Sequence, residues 1–143
     1  MARAVLDSSV LVSGFLTPNG TSAKLFPAAR SGRFVLCLSR ELIDETIGIL
    51  VKKRVRLSHR YRYGADRIHR FERYLMAIAD IVGDLPDLRA VPGDPADDKI
   101  VATAVAAGAS FLIAGDRHLL ALGQYRAIRI VTPRQFLDML AEP

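Results

Sequence analysis

The chain has 143 residues, a net charge of +5 and a pI of about 9.8. Half of the residues are apolar and 24% are charged, which excludes a disordered chain and fits one folded domain spanning 1–143. The lone Cys37 excludes an internal disulfide, no zinc-type Cys/His spacing occurs, no secretory signal opens the chain, and the longest uncharged run, Ile100–Gly115, falls short of the roughly 20 residues of a membrane span, so a cytoplasmic setting without a membrane partner is expected.

Ala4-Val5-Leu6 reads as a short buried strand halted by Asp7-Ser8-Ser9. Val10 to Leu16 reads as a short helix ended by the turn-forming Thr17-Pro18-Asn19-Gly20. Thr21 or Ser22 is expected to cap a helix through about Arg30, closed by Ser31-Gly32. Phe34–Leu38 is a continuous apolar strand, with Cys37 a small core residue. Ser39 then caps a helix whose stripe is Leu42, Ile43, Thr46, Ile47 and Leu50.

The stretch from Lys52 to Arg73 is basic, with Tyr61, Tyr63 and Phe71 interleaved. Arginines pair with phosphates and tyrosines stack on unpaired bases, so Arg54, Arg56, Arg60 and Arg62 are candidate RNA contacts. A solvated basic face, with Phe71 in the core, would carry the same composition. Asp66 is expected to cap a helix bearing Ile68, Phe71, Leu75 and Ile78, and Asp80–Val91 reads as a loop with a short strand at most.

Asp94-Pro95 opens the next helix, with Asp94 as N-cap, Pro95 in the first turn and Asp97 placed to support the cap. Asp98, one residue on, shares a face with Val101, Ala102 and Val105, where an acid suggests a ligand role. Gly108 ends that helix, Phe111–Ala114 forms a strand stopped by Gly115-Asp116, and His118–Leu122 is a short helical piece. Ile128–Val131 is a last strand, and Pro133 starts a closing helix.

Strands and helices alternate, and the strands are continuously apolar, which predicts a parallel sheet covered on both faces. Ligands of such sheets bind at the carboxyl ends of the strands near a switch in strand order, where Asp7 and Asp116 fall. Ionised carboxylates next to a core are costly unless paired or bound to a cation. Asp7, Asp98 and Asp116 are therefore candidate metal ligands, and a basic chain that also gathers acids suits a polyanionic substrate. Spacing alone does not choose between Asp44 and Glu45, which flank one helical stripe. Ser9 would either bond a metal-bound water or cap a helix.

Five segments in order resemble the PIN-domain nucleases: Val5–Ser13, Ser39–Glu45, Asp94–Lys99, Leu112–Leu120 and Val131–Leu137. The similarity is greatest to bacterial PIN proteins described as toxins of toxin–antitoxin systems. It implies a three-layer α/β/α sandwich with a central, mainly parallel sheet of about five strands, and Mg²⁺- or Mn²⁺-dependent cleavage of single-stranded RNA. It places the catalytic acids at Asp7, Glu45, Asp98 and Asp116, with Asp7, Asp98 and Asp116 on the metal and Ser9 in support. Ser9 stands where many members carry Asn, and His118 where relatives often place another Asp. A cognate antitoxin and a homo-oligomer are the partners it implies besides RNA. A non-catalytic PIN-fold module that binds RNA or protein is the alternative. An aspartyl phosphotransfer protein fits less well, because Ser9 occupies the place of a second Asp, and no glycine fingerprint supports a dinucleotide enzyme.

Overall fold

The computed structural model describes residues 1–56 and 63–142, without the side chains of Val55 and Arg56. The Arg56 side chain, Tyr61, Arg60 and Arg62 thus lie outside the described residues.

The strands are β1 (Arg3–Leu6), β2 (Val35–Ser39), β3 (Asp80–Val82), β4 (Phe111–Ile113), β5 (Gln124–Tyr125) and β6 (Ile128–Val131). They form one sheet in the order β3-β2-β1-β4-β6-β5. All neighbours are parallel except β5 and β6. β1 is central: Val5 lies opposite Cys37 on one side and Leu112 on the other, and Ala4, Val5 and Leu6 are wholly buried. The sheet has six strands rather than about five. The additional one, β5, is two residues long and folds back on β6 through Arg126, whose φ is 52°.

The helices are α1 (Ser8–Leu16), α2 (Leu25–Arg30), α3 (Arg40–Arg56), α4 (Ala65–Ile78), α5 (Pro95–Ala106), α6 (Arg117–Leu122) and α7 (Pro133–Ala141). The result is an α/β sandwich with a mostly parallel sheet. The expected cap of α2 by Thr21 or Ser22 is absent: a 3₁₀ turn, Ser22–Lys24, runs straight into the helix without a side-chain cap. Asp66 likewise lies inside the first turn of α4, whose N-cap is Gly64. Thr132 caps α7 in a reciprocal pair with Gln135, and Phe136 behind it packs edge-on to Phe34 and Phe111 at ring separations of 5.0 and 5.4 Å.

Two buried hydroxyls tie the helices that matter for the site. The Ser39 and Thr103 hydroxyls share a hydrogen bond of 2.8 Å that joins the end of β2 to α5, and Ser39 also receives the Leu42 N–H of α3. Both side chains are fully buried, so their polar atoms must be satisfied within the protein, which fixes α3 and α5 relative to each other.

Candidate metal centre

In the sheet order, β1 and β4 are neighbours from which the chain winds outward in opposite directions. The crevice at their carboxyl ends is the switch point at which such sheets hold ligands. Three helices begin beside it, and each has an aspartate as N-cap: Asp7 for α1, Asp94 for α5 and Asp116 for α6. Helix N-termini present unsatisfied N–H groups and partial positive charge, which offsets part of the cost of crowding acids together.

Asp7 is 1% exposed, and its carboxylate accepts four hydrogen bonds. Oδ1 takes the Val10 N–H and the Ser9 hydroxyl, both at 2.8 Å; Oδ2 takes the Gly115 N–H at 3.0 Å and the Asp116 N–H at 3.4 Å. Burial pushes its pKa up, and these donors pull against the shift. Asp7 therefore bolts the start of α1 to the turn after β4, and Ser9 serves Asp7 directly. Asp116 turns Oδ1 to the His118 and Leu119 N–H groups at 2.7 and 3.3 Å.

Glu45 is half-buried, and its carboxyl is pushed up by burial and then by the charges of Asp7 and Asp94, with Lys99 opposing. Its neighbour Asp44 points outward and pairs with Arg40 at 3.0 Å. Helix phase thus separates the two acids that spacing left equivalent.

On α5, Asp98, expected as a metal ligand, is not among the described residues whose ligand atoms group together. Its Oδ1 accepts the N–H groups of Ala90 and Val91, both at 2.8 Å, and so faces the loop that precedes the helix. Asp97, expected to support the cap, instead lies in the group with Asp94 and His118. It is 6% exposed, and its carboxyl is raised to about 7, first by burial, then by the adjoining Asp94 carboxyl and the charges of Asp116, Asp94 and Asp7. Its Oδ2 is fully buried and has no hydrogen-bond donor among the described residues. The adjoining Asp94 carboxylate can share a proton with Asp97 but gives it nothing when both are ionised.

Asp94 and His118 complete the group. Ligand atoms of Asp94, Asp97 and His118 lie within 4.8 Å of one another. His118 Nδ1 is 3.7 Å from Asp94 Oδ2 and 3.8 Å from Asp116 Oδ1. The Asp97 N–H, backing Asp94 Oδ1 at 3.2 Å, also helps hold the Asp94 carboxyl below its ordinary range. Asp94 escaped the sequence reading as a site residue because its capping role already accounted for it. The signal for Asp97 was its register with Ile100, Val101 and Ala104, all buried on α5. Arg54 lies exposed near the end of α3.

The PIN domain family model matches residues 3–118, most of the chain, and the chain belongs to the PIN domain family. The PIN domain is a nuclease fold. No curated protein sequence matches the chain. No helix among the described residues is long and apolar enough to cross a membrane.

Proposed function

We propose that this protein is a Mg²⁺- or Mn²⁺-dependent endoribonuclease that cuts single-stranded RNA. One observation carries the reading: the buried, donorless Oδ2 of Asp97, set against Asp94 and His118. A carboxylate oxygen left without a partner inside a protein is costly, and a cation in contact with it removes that cost. The donor set fits. Carboxylate oxygens suit Mg²⁺ and Mn²⁺, and one imidazole nitrogen is tolerated better by Mn²⁺.

Asp94, Asp97 and His118 would hold the ion, with Asp116 at the rim, 3.8 Å from His118 Nδ1. When bound, the ion supplies positive charge against the anionic phosphodiester and acidifies water in its shell. The protein's own residues prepare that centre. Asp7, saturated by four donors, fixes the turn that presents Asp116. Glu45, near enough to Asp7 and Asp94 for their charges to raise its pKa, is the group that would accept a proton from water. Lys99 and Arg54, both exposed, offer cations to the RNA backbone. The role of toxin in a toxin–antitoxin pair, in the cytoplasm, rests on resemblance to bacterial PIN toxins.

The test is cleavage of a labelled single-stranded RNA by the purified chain with Mn²⁺, with EDTA, and by Asp97→Asn. Cutting that needs the metal and disappears in the variant is expected. An intact substrate in Mn²⁺ favours the binding-module alternative, and equal cutting in EDTA refutes the metal role.

A further inference from the structure

We infer that Asp98 is a positioning residue: its carboxylate holds the loop before α5 so that Asp94 stands beside Asp97. The inference rests on the metal-dependent reading above. Residues 83–94 join β3 to α5 without regular structure. They carry Pro86 and Pro92 and two left-handed residues, Asp84 and Gly93. Packing holds this loop mainly at its end, where Val91 is in the core and Leu88 and Ala90 lean on it. Of its side chains only Val91 is buried, while Leu85 and Leu88 line a cavity of about 720 Å³ between the loop and α5.

Hydrogen bonds supply what packing does not. Asp98 Oδ1 collects the Ala90 and Val91 N–H groups, and charge-assisted bonds of this kind are stronger than neutral ones. The Val91 carbonyl in turn accepts the Asp94 N–H at 3.2 Å, and the Asp94 carbonyl accepts the Asp98 N–H at 3.1 Å. Asp94 is therefore gripped from the loop side and from the helix side, and both grips lead to Asp98. A ligand displaced by a fraction of an ångström loses most of its value to a cation, so the clamp belongs to the metal centre without touching it.

The experiment is calorimetric titration of Mn²⁺ into the full chain and its variants, with amide hydrogen exchange at Ala90 and Val91. Asp98→Ala removes the acceptor, and Mn²⁺ affinity is expected to fall roughly tenfold to a hundredfold, the usual cost of losing a ligand's support. Exchange at Ala90 and Val91 should accelerate with it. Asp98→Asn keeps a carbonyl oxygen for both N–H groups, and its affinity should stay within about threefold of the parent. Ala90→Pro deletes one donor and leaves the acid in place; it should weaken Mn²⁺ as Asp98→Ala does, and it decides the matter if Asp98→Ala does not fold. Parent-like affinity in Asp98→Ala or Ala90→Pro overturns the inference. So does a loss in Asp98→Asn as deep as in Asp98→Ala, which would make Asp98 a ligand. A parent chain that takes up no Mn²⁺ sinks the metal reading itself.

Discussion

Asp97 sits in the first turn of α5 with a carboxyl raised to about 7, and its burial there has consequences that do not involve RNA. In the unfolded chain the same group titrates at an ordinary aspartate value. Between about pH 4 and 7 the folded protein therefore holds a proton that the unfolded chain has lost. Folded-state binding of that proton means that stability without metal declines as pH rises through this window. The carboxyls of Asp7 and Glu45 are shifted in the same direction and add to the trend. Melting temperatures in EDTA should drop from about pH 4 to 7, and millimolar Mg²⁺ should flatten the drop, since a bound cation favours the ionised acids. A profile that is identical with and without Mg²⁺ would contradict the placement of the ion at Asp97. Asp97→Asn removes the charge but keeps the shape. Above about pH 7, where Asp97 is ionised, it should raise the melting temperature in EDTA by several degrees and abolish the further rise on adding Mg²⁺; a variant that melts lower than its parent there would show that the buried charge does not destabilise the fold.

At the scale of elements, the turn from β4 into α6 is held by contact with α1. A Cβ placed on Gly115 would lie 2.8 Å from the Ser9 hydroxyl oxygen, the same oxygen that donates to Asp7. Gly115→Ala should therefore push Ser9 aside, loosen the grip on Asp7 and cost about 1–2 kcal/mol in urea unfolding. Removing the obstructing hydroxyl with Ser9→Ala should make the second substitution cheaper than the two costs added. Strict additivity in that double-mutant cycle would show that the contact does not matter. The same scale explains what could be read from residues alone. β1, β2 and β4 are built on contiguous apolar runs, and β6 carries Ile128, Ile130 and Val131 around the exposed Arg129, so each is visible in the sequence. β3 and β5 are three and two residues long at the sheet's edges, too short to carry a period. Asp7 and Asp116 were legible because each ends a strand. The acid on α5 was not, because Ile100 to Ala104 are all buried: a helix apolar on nearly every side does not mark which face its first-turn acids share. Thr21 and Asp66 were misread as caps because a capping residue type in the right place says nothing about whether its oxygen reaches an N–H.

At the scale of the molecule, an acidic crevice belongs to a chain of net charge +5. The two signs serve different ranges: the cluster acts within a few ångströms, whereas the excess of cations acts out to the Debye length, about 10 Å at moderate salt. Binding of single-stranded RNA to the Asp97→Asn chain should weaken steeply as salt rises from about 50 to 200 mM. Fluorescence anisotropy that is insensitive to salt across this range would separate the basic character of the chain from RNA recognition.

The bond network of Asp7 also sets a schedule for synthesis. Its partners Gly115 and Asp116 follow it by 108 and 109 residues, and β1 finds its second neighbour only in β4. A nascent chain that has emerged as far as α4 has a central strand with one bare edge and an aspartate short of two of its donors. The candidate metal centre thus cannot assemble piecemeal on the ribosome. It closes only once Gly115 and Asp116 have emerged, so a fragment that ends at α4 holds Asp7 and Glu45 without the turn and the aspartates that complete the cluster.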